Sequence, residues 1–187
     1  MLKTILEILT PAVAEFQQKM GIVPQNDKLT ADREALHKRL LIEELKEYDA
    51  ESEFSENRVW EYLDIWWVAL GWAYELGQTI KAPNETQLIH SPQSLIALLQ
   101  TEQTSSQFPA LVFRVIATRS RVATKYAHAL CKSNMSKFCA TEQECFKTYL
   151  ANDKCDYHLQ NGDVWACYSA KGKLVKGINF IEKQYCL

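Results

Sequence analysis

Glycine is scarce in this 187-residue chain, and charge of one sign is not in excess. Six glycines exclude a glycine-rich phosphate loop of the Walker or Rossmann kind. Lys and Arg number 21 against 23 Asp and Glu, so the net charge of −2 leaves no basic footprint for nucleic acid or for an anionic membrane surface. No uncharged apolar run approaches the roughly 18 residues of a membrane span, and the opening MLKTILEIL is interrupted by Lys3 and Glu7, so neither a signal nor an anchor is expected. Cysteine is missing from the first 130 residues; Cys131, Cys139, Cys145, Cys155, Cys167 and Cys186 all fall in the last third. With no secretory leader the expectation is reduced thiols and a cytoplasmic location. Zinc held by Cys139, Cys145, Cys155 and His158 is disfavoured, because the gaps match no paired C-x2-C pattern. His37, His90, His128 and His158 form no spaced constellation, and no Ser/His/Asp or Cys/His arrangement stands out.

What is present is a run of helical signals. Pro11 after Thr10 reads as a first-turn proline, followed by Val13, Phe16 and Met20 up to Gly21. Thr30 caps a second helix to about Glu51, and residues 57–76 form a third with Gly77 just past its end. Ser91-Pro92 opens a shorter fourth helix, and a fifth covers about 109–132. The pattern then changes. Asn161-Gly162 lies between YHLQ and DVWACYS as a two-residue hairpin turn, and a second glycine turn precedes LVKGINF. The expected fold is all-α, a helical domain over 1–140, with 141–187 as a C-terminal β-hairpin appendage in which about 155–180 form a small antiparallel hairpin or three-stranded meander.

The third helix is apolar around its whole circumference, as a centrally buried helix is. At roughly 100° per residue its acids Glu61, Asp64 and Glu75 share one narrow stripe, with Gly71 beside them. On the second helix Glu44 and Glu47 project among Leu36, Leu40, Leu41 and Tyr48, and Glu43 sits at the edge of that face. Unpaired carboxylates in an interior cost several kcal/mol each. Between Val59 and Leu76 the third helix carries no Lys or Arg to compensate, so a compact multivalent cation is the economical answer, and hard oxygen donors select Mg²⁺ or Mn²⁺. Glu44/Glu47 and Glu61/Asp64 are both i,i+3 pairs, and two facing helices would supply four ligands. A structural ion-pair network is the competing reading. A ferritin-like di-iron site lacks its Glu-x-x-His arrangement here.

The blocks EELKE (Glu43 to Glu47) and EYLD (Glu61 to Asp64) resemble the EExxE and ExxD signature of the MazG-like all-α nucleoside triphosphate pyrophosphohydrolases. FQQKMG, DREALHKRLLIEELKE, SNMSK and GKLVKGINF are similar in order to segments of that superfamily, with the phosphoribosyl-ATP-pyrophosphohydrolase-like branch matched in the last two. The resemblance implies a MazG-like bundle and hydrolysis between the α- and β-phosphates of a nucleoside triphosphate. It implies Mg²⁺ on Glu44, Glu47, Glu61 and Asp64, Glu43 orienting or deprotonating the attacking water or holding a second ion, and Asn134, Lys137, Lys173 and Lys176 on the phosphates. Trp60 and Trp67 flank the stripe; Trp67 is a candidate for stacking on the base, although aromatics at such positions are more often core. Dimers or tetramers are implied too, and a helix so uniformly apolar predicts cover from a second copy, at least a dimer. A phosphoribosyl-ATP hydrolase, or a catalytically silent module for dimerisation or nucleotide sensing, are the alternatives.

Overall fold

A computed structural model of the chain describes residues 2–25, 28–53, 55–80, 91–101 and 124–186, together with Pro109. The described elements are α1 (Leu2–Lys19), α2 (Ala31–Ala50), α3 (Glu56–Glu75), α4 (Pro92–Gln100), α5 (Thr124–Met135), α6 (Glu142–Ala151), β1 (Tyr157–Asn161), β2 (Val164–Tyr168) and a 3-10 turn at Lys183–Cys186. The chain is mainly helical with one small antiparallel sheet near its C-terminus. Among the described residues no helix is long and apolar enough to cross a membrane.

Local chemistry sets the ends of α2, α3 and α4. The side chains of Thr30, Ser55 and Ser91 each accept an N–H of the first turn. At the far end of α3, Gly77 takes φ 69°, its N–H donates to the Tyr74 carbonyl at 2.9 Å, and the Gln78 N–H reaches Ala73 at 2.8 Å. That double closure needs a residue without a Cβ penalty in the left-handed region.

α1 corrects the sequence reading, because it begins at Leu2 and carries Pro11 in its interior. An interior proline has no N–H for the carbonyl four residues back and costs about 3 kcal/mol. Ile5, Leu6 and Leu9 outweigh it: they are buried in the core that α1 forms with α3 and α5, at roughly 1.5–3 kcal/mol each. α3 runs through the middle of this core with twelve of its twenty residues buried within a single chain, so its apolar circumference does not itself require a second copy.

The C-terminal part also differs from expectation. A helix, α6, occupies 142–151, where only hairpin was expected; Thr141 caps it by accepting the Glu144 N–H. The hairpin register pairs Asn161 with Val164, so the two-residue turn is Gly162-Asp163, one position beyond Asn161-Gly162. Gly162, at φ 60°, supplies the positive dihedral at the first turn position. The third strand is reduced to a single bridge between Tyr168 and Leu174, and Cys139 bridges Trp165 in the same way. Cys139, Cys145, Cys155, Cys167 and Val175 form a second small core that joins α6 to the sheet. The expected fifth helix is described over Thr124–Met135; its start near 109 lies largely outside the described residues.

Two substitutions test the placement of α1. Leu9→Ala should destabilise by about 2–5 kcal/mol, and Pro11→Ala should stabilise by roughly 1–3 kcal/mol, both read from urea unfolding midpoints. A silent Leu9→Ala would return the start of the helix to Pro11.

Candidate functional site

Leu41 and Leu45 on α2 and Leu63 and Ile65 on α3 are fully buried, and the packing of these two helices turns their acidic positions toward each other. Carboxylate oxygens of Glu44, Glu61 and Asp64 all lie within 4.8 Å of one another, and each residue is partly buried. Three convergent hard oxygen donors fit a divalent cation of the Mg²⁺ or Mn²⁺ kind. Glu47 is exposed, not inward as its spacing suggested; it stands at the rim of the cleft. Glu43 borders the same cleft with its Oε1 2.7 Å from Lys173 Nζ. Glu75, farther along the stripe, does not join the three converging acids. It is fully buried, bound by the Arg33 guanidinium and 3.0 Å from His37 Nε2. Burial alone would raise the Glu75 carboxyl, but the adjacent His37 ring and the hydrogen bonds from Arg33 hold it below the ordinary range.

The triad is electrostatically costly. Burial first, then the charges of Asp64, Glu47 and Glu61, pushes the Glu44 carboxyl up to about 8, with Lys173 opposing. Burial likewise lifts Glu61 to about 7; Lys183 opposes this, and Asp64 and Glu47 add to it. Lys183 is the cleft residue that sequence reasoning missed. It forms an ion pair with Asp64, and its Nζ lies 3.7 Å from Glu61 Oε1; Arg58 of α3 turns instead to the Glu51 carbonyl and the Tyr48 ring, so the cation beside these acids comes from the C-terminal part of the chain. Its local sequence, IEKQY, carries no spacing or motif that pointed there.

The acids form one wall of a cleft of about 250 Å³, and Lys137, Lys173, Lys176 and Lys183 line it as well. Every sequence-predicted site residue except Trp67 borders this cleft. Lys137 Nζ donates to Asn134 Oδ1 at 2.5 Å, and burial draws the Lys137 ammonium below its ordinary range against the pull of Asp64 and Glu44. Asn134 is buried, and its Nδ2 has no hydrogen-bond partner among the described residues, leaving a donor available to a ligand. Lys176 is engaged elsewhere, 2.7 Å from Glu182 and over the Phe180 ring.

Glu44, Asp64, Asn134, Lys137 and Lys173 also line a neighbouring chamber of about 130 Å³. Trp67 lies there, mostly buried, edge-on to Phe16 with ring centroids 5.3 Å apart. Gln17 lines the chamber over Gly71, where an added Cβ would stand 2.5 Å from Gln17 Nε2. The Gln17 side-chain oxygen, Oε1, is buried with no hydrogen-bond partner among the described residues. The thiols lie apart from all this. All six are free, and burial holds Cys145 up at about 11 and Cys155 and Cys167 at about 12, so these are protonated packing groups at neutral pH.

No protein-family model, curated protein or solved structure matches the chain.

The folded-state values of Glu44 and Glu61 lie above the ordinary 4.5. Their contribution to stability is therefore complete below about pH 4.5 and is lost as pH rises through 7 and 8. Glu44→Gln should exceed the parent in stability at pH 9 by roughly 2 kcal/mol, discounted for the water that reaches a partly buried triad, and match it at pH 4. Urea unfolding in chelator reads the difference, and parallel pH profiles would place Glu44 away from the other acids.

Proposed function

We propose that the chain is a divalent-metal-dependent nucleoside triphosphate pyrophosphohydrolase of the MazG-like all-α kind, cleaving between the α- and β-phosphates to give a nucleoside monophosphate and pyrophosphate. The observation that supports this most is the sharing of one cleft by the triad Glu44, Glu61 and Asp64 and by Lys137, Lys173 and Lys176, continuous with a chamber lined by Trp67 and Phe16. Carboxylates alone would repel a triphosphate, and lysines alone would bind it without chemistry.

A bound Mg²⁺ would neutralise phosphate charge and acidify a coordinated water. Glu44, Glu61 and Asp64 are its holders in this reading, with Glu47 available at the rim. Glu43, at the edge of the cleft, takes the proton of the attacking water, while its pairing with Lys173 orients it. Lys137, Lys173 and the unpartnered Asn134 Nδ2 hold the β- and γ-phosphates, and Lys176 joins them on leaving Glu182. The nucleoside end enters the neighbouring chamber, where Trp67 offers apolar surface and Gln17 an open acceptor. Assembly as a dimer or tetramer belongs to the same proposal.

One observation favours a second reading. Lys183 on Asp64 and Glu61 makes part of a structural ion-pair network, as a silent dimerisation or nucleotide-sensing module would have.

A panel of nucleoside triphosphates assayed with Mg²⁺ should release pyrophosphate, with the preferred substrate naming the base. In ¹⁸O water the label should enter the monophosphate and not the pyrophosphate, as attack at the α-phosphorus requires. Glu44→Gln should lower kcat by at least about 10²-fold, the scale of losing one preorganised charge. Label in pyrophosphate or orthophosphate would overturn the cleavage site, and no turnover of any triphosphate would leave the silent module.

A further inference from the structure

Lys183 is held in place by backbone anchors that do not depend on its charge. The segment before it is tied to α5, where Ser133 Oγ donates to the Ile181 carbonyl at 2.8 Å and the Ile181 N–H donates to Ser136 Oγ at 2.9 Å. Its side chain is partly buried, with the ammonium on Asp64 Oδ2, 3.7 Å from Glu61 Oε1 and 5.9 Å from the centre of the Trp60 ring. The other cleft lysines have different partners: Lys137 has Asn134, Lys173 has Glu43 and Lys176 has Glu182. Two of the three converging carboxylates thus present oxygens to one ammonium.

An ammonium and a divalent ion brought to the same two carboxylates repel each other, so the two compete for them. A single positive charge leaves the three-carboxylate cluster under-compensated, whereas a divalent ion brings twice the charge to the same point without ordering a side chain. The four-carbon stem of lysine lets the ammonium swing aside while the anchored backbone stays, and the nearby Trp60 face is a surface on which it can rest. We propose that Lys183 is the exchangeable counter-ion of the carboxylate cluster: it occupies Asp64 and Glu61 when no divalent ion is bound and yields them when one binds, so that the C-terminal turn competes with the metal. This rests on the metal-binding reading of the triad.

Calorimetric titration of the full chain with MnCl₂ at pH 8 tests the exchange directly, without turnover. Lys183→Met should bind Mn²⁺ on the order of tenfold more tightly than the parent, the size of one charge-assisted contact no longer in competition. Lys183→Arg, which keeps the competing charge, should bind no more tightly than the parent. If Lys183→Met does not fold, Lys183→Gln takes its place with the same expectation. Equal or weaker Mn²⁺ binding by the neutral variants, with the parent binding normally, would overturn the exchange and leave the metal site standing. Absence of binding by parent and variants alike would overturn both.

Discussion

Three carboxylates forced together by the packing of α2 on α3 are the constraint on which the rest of this fold turns. Leu41 and Leu45 on one side and Leu63 and Ile65 on the other gain several kcal/mol by burial, and that gain brings Glu44, Glu61 and Asp64 within 4.8 Å of one another. Like charges so placed raise one another's affinity for protons. Each cationic group that reaches the cleft comes from a later part of the chain, so the C-terminal third is required to return to the helical body.

How it returns is a matter of small, specific contacts. The thiol core of Cys139, Cys145, Cys155 and Cys167 ties α6 to the hairpin, with Cys145 and Cys167 sulfurs 3.2 Å apart. Gly177 passes so near Lys137 that a Cβ there would lie 3.1 Å from the Lys137 carbonyl. Arg39 on α2 donates to the Lys171 carbonyl, and Lys173 follows two residues later onto Glu43. Ile178 N–H donates to Thr148 Oγ1 on α6. The cysteines thus serve the site at a distance: they fix the scaffold that positions Lys173 and Lys176, and their raised thiol pKa values suit packing better than chemistry.

Where local signals agreed with burial, the chain was readable in advance. Thr30, Ser91 and Gly77 mark ends of helices as expected, and the i,i+3 spacing of Glu61 and Asp64 placed both on the acid cleft. Thr10-Pro11 misled because a first-turn proline and an interior proline look alike in sequence; only the burial of Ile5 and Leu9 against other helices separates them. The helix at 142–151 had a legible cap in Thr141 with Glu144, whose carboxylate also accepts the Ala140 N–H at 2.9 Å. Asn161 was drawn into the turn by its propensity, yet its side chain is used to donate to the Tyr168 hydroxyl at 2.9 Å.

By itself the sequence determined that acids would sit on the inner faces of two adjacent helices, because helical periodicity depends only on neighbours along the chain. It also determined the helical body and the presence of a hairpin, since caps, glycine turns and apolar spacing are local. Only the tertiary structure decided which acids converge, dropping Glu47 to the rim and sending Glu75 to Arg33 and His37. It alone brought Lys183 across 119 positions of sequence to Asp64. The physical reason is that ion pairing acts through space between groups already fixed by packing, and no periodicity in a linear chain records which distant ammonium will arrive.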